Sequence, residues 1–173
     1  MNIFNHCTMN GLNENLTPYL IAQAVALCFL LAAWKNTRLA RLLFFLLFSG
    51  AAGINGYLGL THPDSYLGIA QFALPFYRRF ILGWFSRHNH IMVPAIAFGQ
   101  LLIAFGMLLQ GWWVRWACIG TMIFLAAIIP LMVGSAFPFS LIVGWAAYIV
   151  YRHDGKVLLW HKQLAAIHQK QWV

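Results

Sequence analysis

Five apolar stretches, each about as long as a membrane-crossing helix, constrain the fold of this chain more than any other feature. No Asp, Glu, Lys, Arg or His interrupts them, and they cover residues 18–34, 42–60, 91–110, 116–133 and 136–151. A helix crosses the bilayer core with roughly 17–25 predominantly apolar residues. Charged residues make up only 8% of the chain, whereas a soluble domain carries about 25%. The sequence therefore predicts an all-α integral membrane protein, with residues 1–173 forming a single transmembrane domain.

The chain is strongly basic, with 11 Lys and Arg against 3 Asp and Glu and a net charge of +8. In a soluble protein this charge would suggest nucleic-acid binding. Here the basic residues lie between the apolar stretches and in the C-terminal tail, which is the pattern that the positive-inside rule describes for membrane proteins. We therefore predict that the partner is the lipid bilayer and that no nucleic acid is bound.

The stretch "PLMVGSAFPFS" at 130–140 decides the number of crossings, because it interrupts a long apolar run over 117–151. A single helix over this run would be about 52 Å long, whereas the bilayer core is about 30 Å thick. Two prolines and a Gly-Ser pair favour a turn here instead. We expect a helical hairpin that turns at 134–138, with Pro138 opening the last helix, where its missing N–H costs little.

The distribution of basic residues agrees with that hairpin. With four crossings the two sides of the membrane would carry seven and four basic residues, in the reversed orientation. With five crossings the division is eight to three, which follows the positive-inside rule more closely. We predict five crossings, an N-terminus outside and a cytoplasmic tail over 152–173 in a bacterial inner (plasma) membrane. The larger group is Lys35, Arg38, Arg41, Arg115, Arg152, Lys156, Lys162 and Lys170, and the smaller is Arg78, Arg79 and Arg87.

The segment "THPDSYLGIAQFALPFYRRFILGWFSRHNH" at 61–90 separates the second and third stretches. Its apolar and aromatic residues recur at roughly helical spacing, but Arg78 and Arg79 in its middle argue against a full crossing. We predict an interfacial amphipathic segment over 69–85, lying at the outer membrane surface. The alternative is a lid over a cavity between the helices.

A few polar and small residues within the stretches are candidates for helix contacts or ligand binding. An amide in hydrocarbon must find a hydrogen-bond partner. Asn55 and Gln100 therefore either bond between helices or face one internal pocket that binds a polar head group. Faces of small residues also favour close helix contact; these are Ser49, Gly50, Gly53 and Gly56 in the second stretch and Gly99 and Gly106 in the third.

Several polar residues flank the second and third stretches on the predicted outer side. Two His and a carboxylate suit a transition metal, but His88 and His90 are two apart and would point in different directions on a helix. We therefore predict no metal site there. The candidate ligand-binding residues at this mouth are His62, Asp64, Arg78, Arg79, His88 and His90. The sequence contains no nucleophile–base pair, phosphate loop or HExxH motif, so it indicates no catalytic residue.

The stretches "LLFFLLFSGAAGINGYLGLTHPDSY" and "PLMVGSAFP", within residues 42–151, resemble parts of the DoxX-like family of integral membrane proteins. "LLFFLLFSGAAGINGYLGLTHPDSY" is similar to the family's opening apolar helix with its small-residue motif and proline-bearing loop. The stretch "HIMVPAI…AAYIVY" at 90–151 is similar to the remaining three helices, and "PLMVGSAFP" resembles the joint in one branch. The resemblance implies a bundle of four core transmembrane helices, to which 18–34 adds one extra N-terminal transmembrane helix.

The same resemblance implies a subunit of a membrane redox system that binds quinone or another lipophilic molecule between helices, beside other redox subunits. The family often carries a glutamate in the helix that corresponds to 91–110, where this chain has Gln100. That difference and the lack of paired cysteines argue against acid-dependent and direct thiol chemistry, so enzymatic activity stays open. The alternatives are a non-catalytic membrane assembly or scaffold protein and a transporter of small lipophiles or lipids.

Overall fold

The computed structural model describes residues 16–71, 73–130 and 138–153, and within these ranges all regular secondary structure is helical. The α-helices are α1 (Leu16–Lys35), α2 (Thr37–Thr61), α3 (Pro75–Phe80), α4 (Ser86–Leu108), α5 (Trp112–Ile128) and α6 (Phe139–His153). A 3₁₀ segment covers Pro63–Gln71 and a π-helical segment covers Ile81–Phe85. The predicted turn at 134–138, except Pro138, and the predicted tail beyond His153 lie outside the described residues.

The five longer helices form one bundle around a shared apolar core. α2 packs most extensively against α4, α5 lies between α4 and α6, and α1 contacts both α2 and α6. Aromatic pairs join the layers: the ring centroids of Phe29 and Phe44 are 4.9 Å apart, and those of Phe48 and Phe124 are 5.6 Å apart. α5 and α6 also pack against each other, and the groove between them is lined by Met122 and Ile129 of one side and by Ser140 and Tyr148 of the other.

The outer surface of the bundle is unusually apolar. Among the described residues, two helices are long and apolar enough to cross a membrane: Thr37–Thr61 and the continuous helix Pro75–Leu108. Large apolar side chains such as Ile21 and Ile54 are more than half exposed, at 60% and 62%. In water such a surface would drive association, whereas lipid chains cover it without that penalty. These features indicate a membrane protein.

The basic link between the first two predicted crossings is mostly helical. The Asn36 side chain caps α2 by accepting hydrogen bonds from the backbone N–H groups of Arg38 and Leu39, at 3.1 and 3.3 Å. α2 therefore begins at Thr37, five residues before the predicted start at 42. A side-chain cap of this kind satisfies N–H groups that a helix leaves without partners. Because the cap starts the helix at Thr37, Arg38 and Arg41 lie within α2 and not in a loop.

Arg41, which the sequence places with the other topogenic charges, is instead completely buried. Its Nε donates a hydrogen bond to the Met107 carbonyl at 2.9 Å, and its Nη2 donates to the Leu109 carbonyl. Both carbonyls lie at the C-terminal end of α4, where the last helical carbonyls have no partners within the helix. Arg41 thus fastens the start of α2 to the end of α4. We call this end of the bundle the Arg41 end.

α4 and α5 meet across a short turn that requires glycine. Gly111 has a φ of 63°, a conformation that glycine adopts at little cost. Just before the turn, a Cβ added to Gly106 would lie 2.8 Å from the Ala117 Cβ. The two helices therefore approach each other closely here because Gly106 has no side chain.

The structure differs from the sequence prediction between 69 and 91. The sequence separates an interfacial segment over 69–85 from a helix that begins at 91, but a single helix runs from Pro75 to Leu108. The polar residues 86–90 mark the edge of an apolar stretch, yet they contain no glycine or proline that would end a helix. Hydropathy alone therefore placed a boundary where the backbone has none.

This long helix is not a straight rod along the bundle. Its 34 residues would extend about 51 Å if straight, whereas the 17 residues of α5 extend about 25 Å. The long helix ends at the turn from which α5 starts, yet the Leu74 N–H, at the other end of the long helix, donates to the Pro130 carbonyl just beyond α5, at 3.1 Å. The first part of the helix must therefore lean over the end of α5. The π-helical segment and Pro94 are features at which helices bend.

Candidate functional site

A chain of hydrogen bonds joins three elements at the end of the bundle opposite to Arg41. The Asn55 Nδ2 of α2 donates to the Gln100 Oε1 of α4 at 2.8 Å. The Tyr66 hydroxyl, in the 3₁₀ segment, donates to the Asn55 Oδ1 at 2.6 Å. Gln100 is only 2% exposed. The two amides that the sequence singles out thus meet each other, and we call this end of the bundle the Tyr66 end.

The antiparallel register of α2 and α4 brings these amides together. A Cβ added to Gly56 would lie 3.9 Å from the Ala97 Cβ, and one added to Gly59 would lie 2.8 Å from the Val93 Cγ1. Asn55 and Gly59 are four residues apart and therefore lie on one face of α2. Since Gly59 leaves no room for a side chain, α2 approaches α4 closely enough for the amide pair to form.

Tyr66 is a hydrogen-bond donor in this chain because its hydroxyl keeps its proton. Burial raises the pKa of the Tyr66 hydroxyl above its ordinary value of 10.0. The phenol is therefore neutral at physiological pH, and its O–H donates a hydrogen bond to the Asn55 oxygen. An amide nitrogen carries two hydrogens, and the bond to Gln100 uses one of those on Asn55. This arrangement suits the binding of an acceptor oxygen, whereas it contains no acid that would exchange protons near neutral pH.

A second polar pair lies at the same end. The Asn89 Nδ2 donates to the Asp64 Oδ1 at 2.7 Å. Asn89 is 4% exposed and lies in the first turns of α4, while Asp64 opens the 3₁₀ segment. The pair therefore holds this segment against α4, above the Tyr66–Asn55–Gln100 chain.

The remaining predicted site residues lie at the surface of this end. His62 follows α2 and is exposed, as are His90 and the two arginines Arg78 and Arg79. The His88 ring stacks on the Trp84 ring at 4.6 Å. The His88 Nδ1 also lies 2.9 Å from the Trp84 carbonyl. Since a carbonyl can only accept, the Nδ1–H is the donor. Across the residues that the structure describes, no group of three or more His, Cys, Asp and Glu is placed to hold a metal ion.

Two open grooves lie elsewhere on the bundle. One, of about 300 Å³, runs between α5 and α6 and includes Ser140. The other, of about 400 Å³, runs between α1 and α6 at the Arg41 end. Neither groove is lined by Asn55, Gln100 or Tyr66. Asn55 and Gln100 thus bond to each other between helices, and their role in ligand binding stays a prediction.

Sequence reasoning missed two residues of this end, Tyr66 and Asn89. Both stand within the quoted stretch 61–90, but a tyrosine at a membrane boundary is ordinarily part of the aromatic belt. Asn89 stands between two histidines, and an amide in that position gives no signal of its own. Buried amides and carboxylates need hydrogen-bond partners. This rule predicts that Asn55, Gln100 and Asp64 have partners, but it does not identify them.

Models of known protein families, curated proteins and solved structures give no match to this chain. The resemblance to DoxX-like proteins therefore stays a prediction from the sequence.

Proposed function

We propose that this protein crosses the membrane five times and binds a lipophilic molecule at the Tyr66 end. The molecule would carry a hydrogen-bonding head group, as a quinone does. In this role it serves as a subunit of a membrane redox system, as the DoxX-like resemblance implies. The observation that carries the proposal is the hydrogen-bond chain from Tyr66 through Asn55 to Gln100. Polar groups are costly within a membrane and often mark functional positions.

The chemistry of the chain supports an acceptor head group. A quinone carries carbonyl oxygens, which accept hydrogen bonds from amide N–H and phenol O–H groups. Tyr66 holds the Asn55 oxygen, so that the second N–H of Asn55 has a fixed direction. The protein would bind and position the lipophile, and the redox change would belong to the lipophile and its redox partners.

The placement of basic residues supports the five crossings and their orientation. Most of the described basic residues lie at the Arg41 end, and the positive-inside rule would put the cytoplasm there. The Tyr66 end would then face outward. Of the described Lys and Arg, the Arg41 end carries Lys35, Arg38, Arg41, Arg115 and Arg152, and the Tyr66 end carries Arg78, Arg79 and Arg87.

Titration with a short-chain ubiquinone, followed by tryptophan fluorescence in mild detergent, tests the binding. We expect Asn55→Leu to weaken binding more than tenfold. Tyr66→Phe should weaken it about fivefold, since one hydrogen bond contributes about 1 kcal/mol. Tyr57→Phe is the matched control because Tyr57 is 65% exposed on the same helix as Asn55, and it should leave the affinity unchanged. Equal affinities in all four proteins, or no binding by the wild type, would contradict the proposal.

One observation favours a second candidate, a non-catalytic membrane assembly or scaffold protein. The Asn55 and Gln100 amides bond to each other, so they already hold α2 to α4. Hydrogen bonds between membrane helices contribute about 0.6–2 kcal/mol. On this account the wild type binds no quinone, mass spectrometry of its organic extract finds no lipophile, and Asn55→Leu lowers the free energy of unfolding.

A further inference from the structure

We propose that the groove between α1 and α6 at the Arg41 end binds one anionic phospholipid. Its acyl chain would lie along the apolar wall and its phosphate would contact Arg152. The groove measures about 400 Å³, within the range of about 300–1,000 Å³ that is usual for ligand sites. It is lined by Leu30, Trp34, Trp145, Tyr148, Ile149, Arg152 and His153.

The wall of the groove is apolar and aromatic, and it opens outward. Trp34 is 79% exposed and Trp145 is 60% exposed. The Trp145 and Tyr148 rings lie 5.3 Å apart and form one continuous surface. Outward-facing aromatic residues between two helices provide a surface for an acyl chain, and Trp and Tyr are favoured near the membrane–water boundary.

The mouth of the groove carries positive charge. Arg152 is exposed at the end of α6, and its guanidinium suits bidentate contact with a phosphate. The His153 Nδ1–H donates to the Ile149 carbonyl at 3.0 Å, so this nitrogen is not available to a phosphate. Arg152 is therefore the principal phosphate ligand.

Charge complementarity favours an anionic over a zwitterionic lipid. Among the described residues Asp64 is the sole acid, and it lies at the Tyr66 end, bonded to Asn89. Asp154 follows the groove in the sequence and lies outside the described residues. Lys35 ends α1 at the same end of the bundle, although it does not line the groove. The groove is thus apolar at Trp145 and cationic at Arg152. A phospholipid has the matching order of an apolar acyl chain and an anionic phosphate.

Native mass spectrometry of the full-length protein with equal phosphatidylglycerol and phosphatidylcholine tests this site. We expect the wild type to retain one phosphatidylglycerol in preference to phosphatidylcholine. Arg152→Gln should lower that preference about fivefold, and Arg152→Lys should keep most of it. Trp34→Ala should lower the retention of both lipids, because it removes apolar wall rather than charge.

Arg115→Gln is the matched control, since Arg115 is exposed at the same end but does not line the groove. It should leave the preference intact. An equal loss in Arg115→Gln and Arg152→Gln would show general surface charge and overturn the proposal. A wild type without lipid preference, or an unchanged preference in Arg152→Gln, would also overturn it. None of these outcomes bears on quinone binding, which concerns the opposite end.

Discussion

Replacing Arg41 with methionine is expected to lower the free energy of unfolding by about 2–4 kcal/mol. Methionine fills a similar volume but donates no hydrogen bond, so the carbonyls of Met107 and Leu109 lose the bonds from this side chain. A hydrogen bond to a charged group contributes about 1.5–3 kcal/mol. The guanidinium also lies at the negative end of the α4 dipole, where a cation is favourable. Methionine also removes the desolvation cost of a buried charge, which offsets part of the lost free energy of unfolding.

Unfolding by titration with sodium dodecyl sulfate in mixed micelles measures this effect. Arg41→Lys keeps the charge but lacks the planar fork of donors, so its loss should be intermediate. Arg115→Met is the matched control, because Arg115 is exposed and should change the free energy of unfolding by less than about 0.5 kcal/mol. If Arg41→Met were as stable as Arg115→Met, Arg41 would not hold the helix ends together.

Replacing Gly106 with leucine should lower the free energy of unfolding by about 3 kcal/mol. Even a methyl group at this position would lie 2.8 Å from the Ala117 Cβ and 3.4 Å from the Trp113 carbonyl. The Ala117 Cβ is fixed to its backbone, so α4 and α5 must separate. Overpacking a well-packed contact costs about 1–3 kcal/mol, and leucine adds more atoms than a methyl group.

The matched control for Gly106→Leu is Gly99→Leu on the same helix. A Cβ at Gly99 would have no atom within 4 Å, and leucine is a better helix former than glycine. This variant should be unchanged or slightly more stable in the same micelle titration. Equal destabilisation of both variants would mean that the α4–α5 contact at Gly106 is no closer than the surroundings of Gly99.

Hydropathy predicts which parts of this chain are helical but not where the helices end. Each of the five apolar stretches overlaps one long helix. The boundaries moved where polar residues continue a helix, as at 37–41 behind the Asn36 cap and at 86–90 in the long helix. Those residues have no apolar periodicity. A side-chain cap or a π-helical segment also has no strong sequence pattern, so the helix boundaries that depend on them are hard to predict.

The candidate site was only partly predictable for a related reason. Asn55 and Gln100 stand out because amides are rare in apolar stretches, and they do meet. Their partner Tyr66 lies in a 3₁₀ segment whose path depends on tertiary contacts. The predicted faces of small residues show the same limit. Gly50, Gly53 and Gly99 have open space around them, while Gly59 and Gly106 make the close contacts. Composition identifies a small residue, and only packing shows which one a neighbouring helix requires.

Cysteine labelling in intact cells shows whether the bundle crosses a membrane with its Tyr66 end outside. Single cysteines at Ser65, Gln110 and His153, all exposed in the structure, would be placed in a chain without its native cysteines. If the Tyr66 end faces outward, an impermeant maleimide should label Ser65→Cys in intact cells. It should label Gln110→Cys and His153→Cys only after the membrane is opened. Labelling of Gln110→Cys or His153→Cys from outside, or protection of Ser65→Cys, would contradict that orientation.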